Sequence, residues 1–169
     1  MKTLHDTIDY SASVERVARF YASSEHAAER ARRLGVNDTH VDVQGNSDGA
    51  FTTTIQATVP REQIGHDKFS RFLPGRLDMT IVHDWDAPDG GSRTGRLRAT
   101  VASLPVDLSA DFTLSGSGSG DGSRMSIEAN LSVKIPLVGG AIEKAALEAA
   151  GDVFDTEEAF ANDVLANER

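Results

Sequence analysis

The stretch KIPLVGGAIEKAALEAAGDVF, Lys134 to Phe154, starts as a strand and finishes as a helix, with Pro136 and the pair Gly139 and Gly140 at the changeover. Proline has no backbone N–H, so Pro136 ends the donor ladder of a strand. Paired glycines permit a sharp change of direction. From Ile142 onward the apolar residues recur at helical spacing. Ile142, Ala146, Ala149, Val153, Phe160 and Val164 form one stripe, and Leu147, Phe154, Ala161 and Leu165 form a second beside it, so the apolar face is wide. Asp152, Glu157 and Glu158 fall in the middle of this helix instead of at its start. A sheet with a single apolar face needs cover, and this is the one segment long enough to supply it.

Working back from the break, the chain alternates. Met125, Ile127, Ala129, Leu131, Val133 and Ile135 share one side, and SGSGSGDGS ahead of them reads as a hairpin tip. Pro105 bends the chain into Val106, Leu108, Ala110, Phe112 and Leu114; before it come Leu97, Ala99 and Val101, the turn DAPDGGS, and Leu77, Met79, Ile81, His83 and Trp85. Further back, Val41 and Val43 are joined through GNSDG to Phe51, Thr53, Ile55, Ala57 and Val59, which has the form of a hairpin. Strict alternation marks antiparallel strands with one dry and one wet face, so these segments make a meander and not βαβ units. Near the start, Leu4, Ile8 and Tyr10 give a first strand. SASVERVARFYASSEHAAERARRLG then predicts two short helices, capped by Ser13 and by Ser23 or Ser24, with Gly35 as a stop. Residues 60–75, PREQIGHDKFSRFLPG, lose the alternation and read as a long loop with a helical turn around Lys68 to Leu73. The expected fold class is α+β: a strongly curved antiparallel sheet of about seven strands, in the order β-α-α-β6-α, wrapped around the C-terminal helix.

Composition excludes several function classes. A chain of 169 residues suits one domain, residues 1–169, with a core that needs no staples. There is no cysteine, which removes disulfides, thiolate nucleophiles and Cys-ligated zinc together. The formal net charge of -9 argues against a nucleic-acid or anionic-membrane surface, because phosphate binding rests on clustered Lys and Arg. MKTLHDTIDY carries charges where a signal peptide has an apolar segment. No run approaches a membrane span, and a cytoplasmic location is expected. The oligomeric state stays open between monomer and weak dimer.

A helix laid across a strongly curved sheet rarely closes along its whole length, and the space left over is a natural cavity. This order of elements resembles the helix-grip fold of the START and birch-pollen-allergen-like superfamily, SRPBCC. More narrowly, LDMTIVHDW, DGGSRTGRLRATVASLPVDLSADFTL and KIPLVGGAIEKAALEAA are similar to an uncharacterised actinobacterial family within it, and the resemblance covers essentially the full chain. It implies a pocket for a hydrophobic or amphipathic ligand (a lipid, acyl chain or polyketide-like compound) between sheet and C-terminal helix. It carries over no catalytic residue. The expected lining is Phe51, Ile55, Phe69, Phe72, Leu77, Met79, Ile81, His83, Trp85, Leu97, Val101, Leu108, Phe112, Ile127, Leu131, Ile142, Ala146, Ala149 and Val153.

Chemistry, if any, would centre on His83, which shares the inward register of Leu77 to Trp85. A histidine there can orient a ligand carbonyl or act as acid or base near neutral pH; the competing reading is a core histidine with one satisfied hydrogen bond, or one sitting at the cavity rim. Asp6, between Leu4 and Ile8, and Tyr10 are its candidate partners, although the end of the first strand can also twist Asp6 out to solvent. That would make a cyclase, aromatase or hydrolase, the alternative to a binding module; a co-chaperone-like interaction domain is a third class. His5, His26, His40 and His66 are scattered, and no H-E-x-x-H motif or clustered carboxylates supply a metal site, so neither metal nor cofactor is expected. Asp84, Asp86 and Asp89 lack calcium-loop spacing and suit a turn. Phe69, Phe72 and Leu73 would form either a lid or a plug at the cavity mouth, with Lys68, Arg71 and Arg76 offering charge to an acidic head group.

Overall fold

The structure is a computed structural model that describes residues 1–63, 70–118 and 120–168. Strand β1 (Lys2–Tyr10) leads into helices α1 (Val14–Tyr21) and α2 (Ser24–Arg33). Six strands follow, β2 (Thr39–Gly45), β3 (Phe51–Pro60), β4 (Arg76–Trp85), β5 (Arg93–Val101), β6 (Val106–Gly116) and β7 (Ser123–Val133), and then helix α3 (Gly139–Asn167). The strands form one antiparallel sheet in the order β1-β7-β6-β5-β4-β3-β2. Strands β2 to β7 are a plain meander, and β1 pairs with the last of them. The antiparallel meander is the one expected from the alternation, and the curved sheet with its long C-terminal helix is the helix-grip arrangement that the family resemblance implied.

Local signals account for the elements. The Ser13 hydroxyl accepts from the Arg16 N–H, and Ser23, not Ser24, caps α2 by accepting from the His26 N–H, which supplies an acceptor to an otherwise unpaired helix N-terminus. The 60–75 loop opens with a 3-10 turn at Arg61–Gln63. Of the helical turn expected around Lys68 to Leu73, Lys68 and Phe69 lie outside the described residues, and the remainder is a turn in which the Leu73 N–H donates to the Ser70 carbonyl at 3.1 Å.

The changeover into α3 works differently from the sequence expectation. The residue with left-handed backbone is Leu137, at φ 71°, and its side chain is fully exposed. Gly139 already belongs to the helix, and a Cβ there would stand 2.1 Å from the Val133 carbonyl oxygen. It is needed for close approach, not for a turn. Gly140 faces open space. Gly139→Ala should therefore cost about 1–3 kcal/mol, as over-packing does. Gly140→Ala should stabilise by about 0.5–1 kcal/mol through helix propensity. Urea denaturation of the two variants separates these outcomes, and equal effects would contradict the assignment.

Just beyond, the buried Glu143 accepts the Val133 N–H at 2.9 Å. That hydrogen bond holds its carboxyl below the usual range and ties the start of α3 to the end of β7. The other end of α3 is fixed by the buried Phe160, Ala161 and Leu165. Between these anchors Ala146, Ala149, Gly151, Asp152 and Val153 are exposed. The helix packs mainly along β1, β7 and α1, so over β3 to β5 it stands off from the concave face.

Candidate functional site: a cavity between sheet and helix

Strand register lays the inward side chains in rows across the sheet. One row runs Phe51, Trp85, Gly95, Phe112, Ile127; the next Thr53, His83, Leu97, Ala110, Ala129, Leu4; the third Ile55, Ile81, Ala99, Leu108, Leu131. Ala99, Ala110 and Ala129 put small side chains at the middle of the concave face. With α3 held at its ends, a cavity of about 470 Å³ remains under the helix. That lies within the roughly 300–1,000 Å³ typical of small-molecule sites. Leu34 on the α2 side, and Ala146 and Val153 on α3, belong to its wall and are exposed, so the cavity opens between the end of α2 and the middle of α3.

Of the residues expected to line it, Ile55, Met79, Ile81, His83, Leu97 and Leu108 do so, as do Phe112, Ile127, Leu131, Ala146 and Val153. Others do not. Phe51 and Trp85 are buried beyond the closed end, stacked on each other at 5.7 Å. Trp85 also meets Phe112 at 4.5 Å and Tyr21 at 5.2 Å, so it anchors packing instead of touching the cavity. The ring of Phe112 crosses β5 where Gly95 has no side chain; a Cβ there would lie 2.2 Å from it. Leu77 is buried opposite Val59 at the start of β4, and Val101 sits at the opposite sheet end from His83, at the close of β5. Neither reaches the space.

Ile142 and Ala149 miss it because α3 is rotated toward its second stripe. Leu147, Phe154, Ala161 and Leu165 lead, and Ala146, Ala150 and Val153 flank them. Phe72 is 39% exposed, carries Arg71 over its ring at 4.7 Å, and does not line the cavity. Phe69 and Lys68 lie outside the described residues.

The candidate catalytic grouping does not assemble. His83 faces the cavity, but Asp6 is not in its wall and accepts instead from the Thr7 N–H at 2.7 Å. Tyr10 is buried with its hydroxyl 2.6 Å from that of Tyr21. What His83 has beside it is a set of polar groups that alternation alone does not reveal. The Tyr21 hydroxyl donates to Glu157 Oε1 at 3.1 Å, and Arg30 Nε lies 2.7 Å from the same oxygen. The Arg30 guanidinium also covers the Tyr21 ring at 4.6 Å, and the Tyr21 ring stands 5.6 Å from that of His83. The Thr53 hydroxyl, beside His83 in its row, donates to the Tyr21 carbonyl. Arg30, Glu157, Tyr21, Thr53 and His83 all belong to the cavity wall.

Electrostatics follow from this burial. Loss of water raises both tyrosine hydroxyls far above their ordinary range. Burial pulls the Arg30 guanidinium down, and Glu157, Tyr21 and Tyr10 together more than restore it. His83 makes no hydrogen bond among the described residues, so the core histidine with a satisfied partner is not what the structure holds. Burial first, and the Arg30 charge second, lower its pKa to about 3. The folded value lies below the unfolded value of about 6.5, so stability is complete above that pH and declines as pH falls toward 3. Wild type should lose about 2 kcal/mol more than His83→Leu between roughly pH 6.5 and 4.5. Urea denaturation at the two pH values checks this, and equal losses would contradict it.

Elsewhere the acidic candidates are accounted for. Asp84 accepts from Thr52 and Arg98, Asp86 from Thr94, and Asp89 closes a tight turn with Ser92. Among the described residues no three His, Asp or Glu side chains converge as a metal site requires, and no helix is long and apolar enough to cross a membrane.

Comparison with known families places this geometry. The model for the family described as protein of unknown function DUF2505 matches residues 6–165. The chain belongs to the DUF2505 family. An uncharacterised protein of Mycobacterium tuberculosis strain H37Rv is 25% identical to this DUF2505 protein over 145 residues, 80% of each chain. Among solved structures, a START superfamily protein from Mycobacterium smegmatis superposes with a TM-score of 0.57 at 11% identity, covering 96% of this chain and 98% of that one. Norcoclaurine synthase from Thalictrum flavum does so with a TM-score of 0.55 at 16% identity, covering 99% and 87%. At such identities the likeness concerns the fold, which is START-like.

Proposed function

We propose that this protein binds and carries a small hydrophobic or amphipathic molecule in the cavity between sheet and α3. The observation that supports it is the combination of an open void of about 470 Å³ with walls built almost wholly from aliphatic and aromatic side chains. Apolar surface left half-exposed on Ile55, Met79, Ile81, Leu97 and Leu108 is unfavourable in water, and a ligand removes it at about 25 cal/mol per Å² buried. An enzyme of cyclase type would need an acid or base partner at His83. Asp6 and Tyr10 are both engaged elsewhere, so the binding role is the better supported.

Native mass spectrometry of protein purified from its own host tests the proposal. A discrete adduct released by collisional activation is the expected result. Apo protein alone, together with no thermal stabilisation by any medium-chain alcohol, would count against it.

A further inference from the structure

The polar end of the cavity is built so that its charges cancel. Among the described residues Arg30 is the cation in the wall and Glu157 the anion, and they are 2.7 Å apart. The hydroxyls are already committed: Tyr21 donates to Glu157, and the oxygen of Tyr21 is the partner of the Tyr10 hydroxyl. The Thr53 hydroxyl donates to the Tyr21 carbonyl. His83 is 8% exposed, part of the wall, and among the described residues has neither the hydrogen bond of these hydroxyls nor the ion pair that engages Arg30. A neutral imidazole offers one N–H donor and one bare nitrogen acceptor. The ring nitrogens of His83 are not among the sealed side-chain atoms that lack a partner, so they reach open space, and this is where a ligand's polar atom can pair.

Resting on the binding role proposed above, we infer that the ligand is uncharged, an apolar body with a hydroxyl or carbonyl at one end that pairs with His83, and that the cavity rejects ionised carboxylic acids. A hydroxyl can donate and accept, which suits either imidazole tautomer, and a carbonyl can take the N–H. A carboxylate fares badly. Among the described residues the one cation of the wall is matched by Glu157, so an incoming anion would be desolvated beside another anion with no free counter-charge from them.

The test is calorimetric titration at neutral pH with decanol, methyl decanoate and decanoate, which share one apolar chain. Decanol and methyl decanoate should each bind about 30-fold or more tighter than decanoate. In Glu157→Gln, whose amide oxygen keeps an acceptor for Tyr21 while freeing the Arg30 charge, the preference should shrink or reverse. The double variant Arg30→Gln/Glu157→Gln, again neutral, should restore it. Each ratio is taken on one protein, and the two neutral probes test the claim on wild type even where a variant folds poorly. Equal affinity of wild type for all three probes, or tighter binding of decanoate, would overturn this inference while leaving a ligand-binding cavity in place. Binding of none of them would overturn both.

Discussion

Ala99→Phe should lower affinity for a medium-chain alcohol on the order of a hundredfold while leaving the protein folded. Ala99 lies at the centre of the concave face, opposite Ile81 on one side and Leu108 on the other, and belongs to the cavity wall. A benzyl group there projects into space and not into packed atoms. Displacing about four methylenes of a ligand at about 0.8 kcal/mol each removes roughly 3 kcal/mol of binding. Filling a void with apolar atoms is neutral or mildly stabilising. Calorimetry with decanol and a urea melt give the two readouts. Undiminished affinity would mean the ligand lies elsewhere.

Glu157→Leu should destabilise the protein by about 3 kcal/mol, and adding Arg30→Met should recover most of the loss. Removing one member of a largely buried ion pair, here with side chains 15% and 12% exposed, leaves the other charge uncompensated, whereas replacing both with apolar groups of similar size is often neutral. The single change also deprives the Tyr21 hydroxyl of its acceptor, which adds to the cost. Chemical denaturation of the single and double variants checks this. Additive losses would show that Arg30 and Glu157 act independently.

The fold was legible because period-two alternation specifies which face of each strand is dry, and because Pro136 and the helical stripe after it mark where the last strand gives way to the covering helix. The cavity was legible in part. Ile55, Ile81, Leu97 and Leu108 follow from their inward register, but the void owes as much to Ala57, Ala99, Ala110 and Ala129, whose small size was the available signal. Trp85 and Phe51 share that inward register yet lie beyond the space, because inward register fixes a face and not a depth along it. The rotation of α3 was open, since two adjacent stripes were both apolar; Glu143 at one end and Phe160 and Leu165 at the other settle it.

The polar cluster was the least legible part. Arg30 follows Ala27 by three residues on the inner face of α2, and Glu157 follows Phe154 by three on the second stripe of α3. Either charge alone reads as solvated surface. Only the approach of two helices distant in sequence turns them into a pair, and Tyr21 joins them from the end of α1.

Titration of the purified protein with a homologous series of straight-chain alcohols, from hexanol to dodecanol, tests the central claim most directly. Affinity should rise about fourfold per added methylene, as burial at about 0.8 kcal/mol each requires, until the chain fills the cavity and the gain stops. A flat response across the series, or no binding at any length, would contradict an apolar ligand site beneath α3.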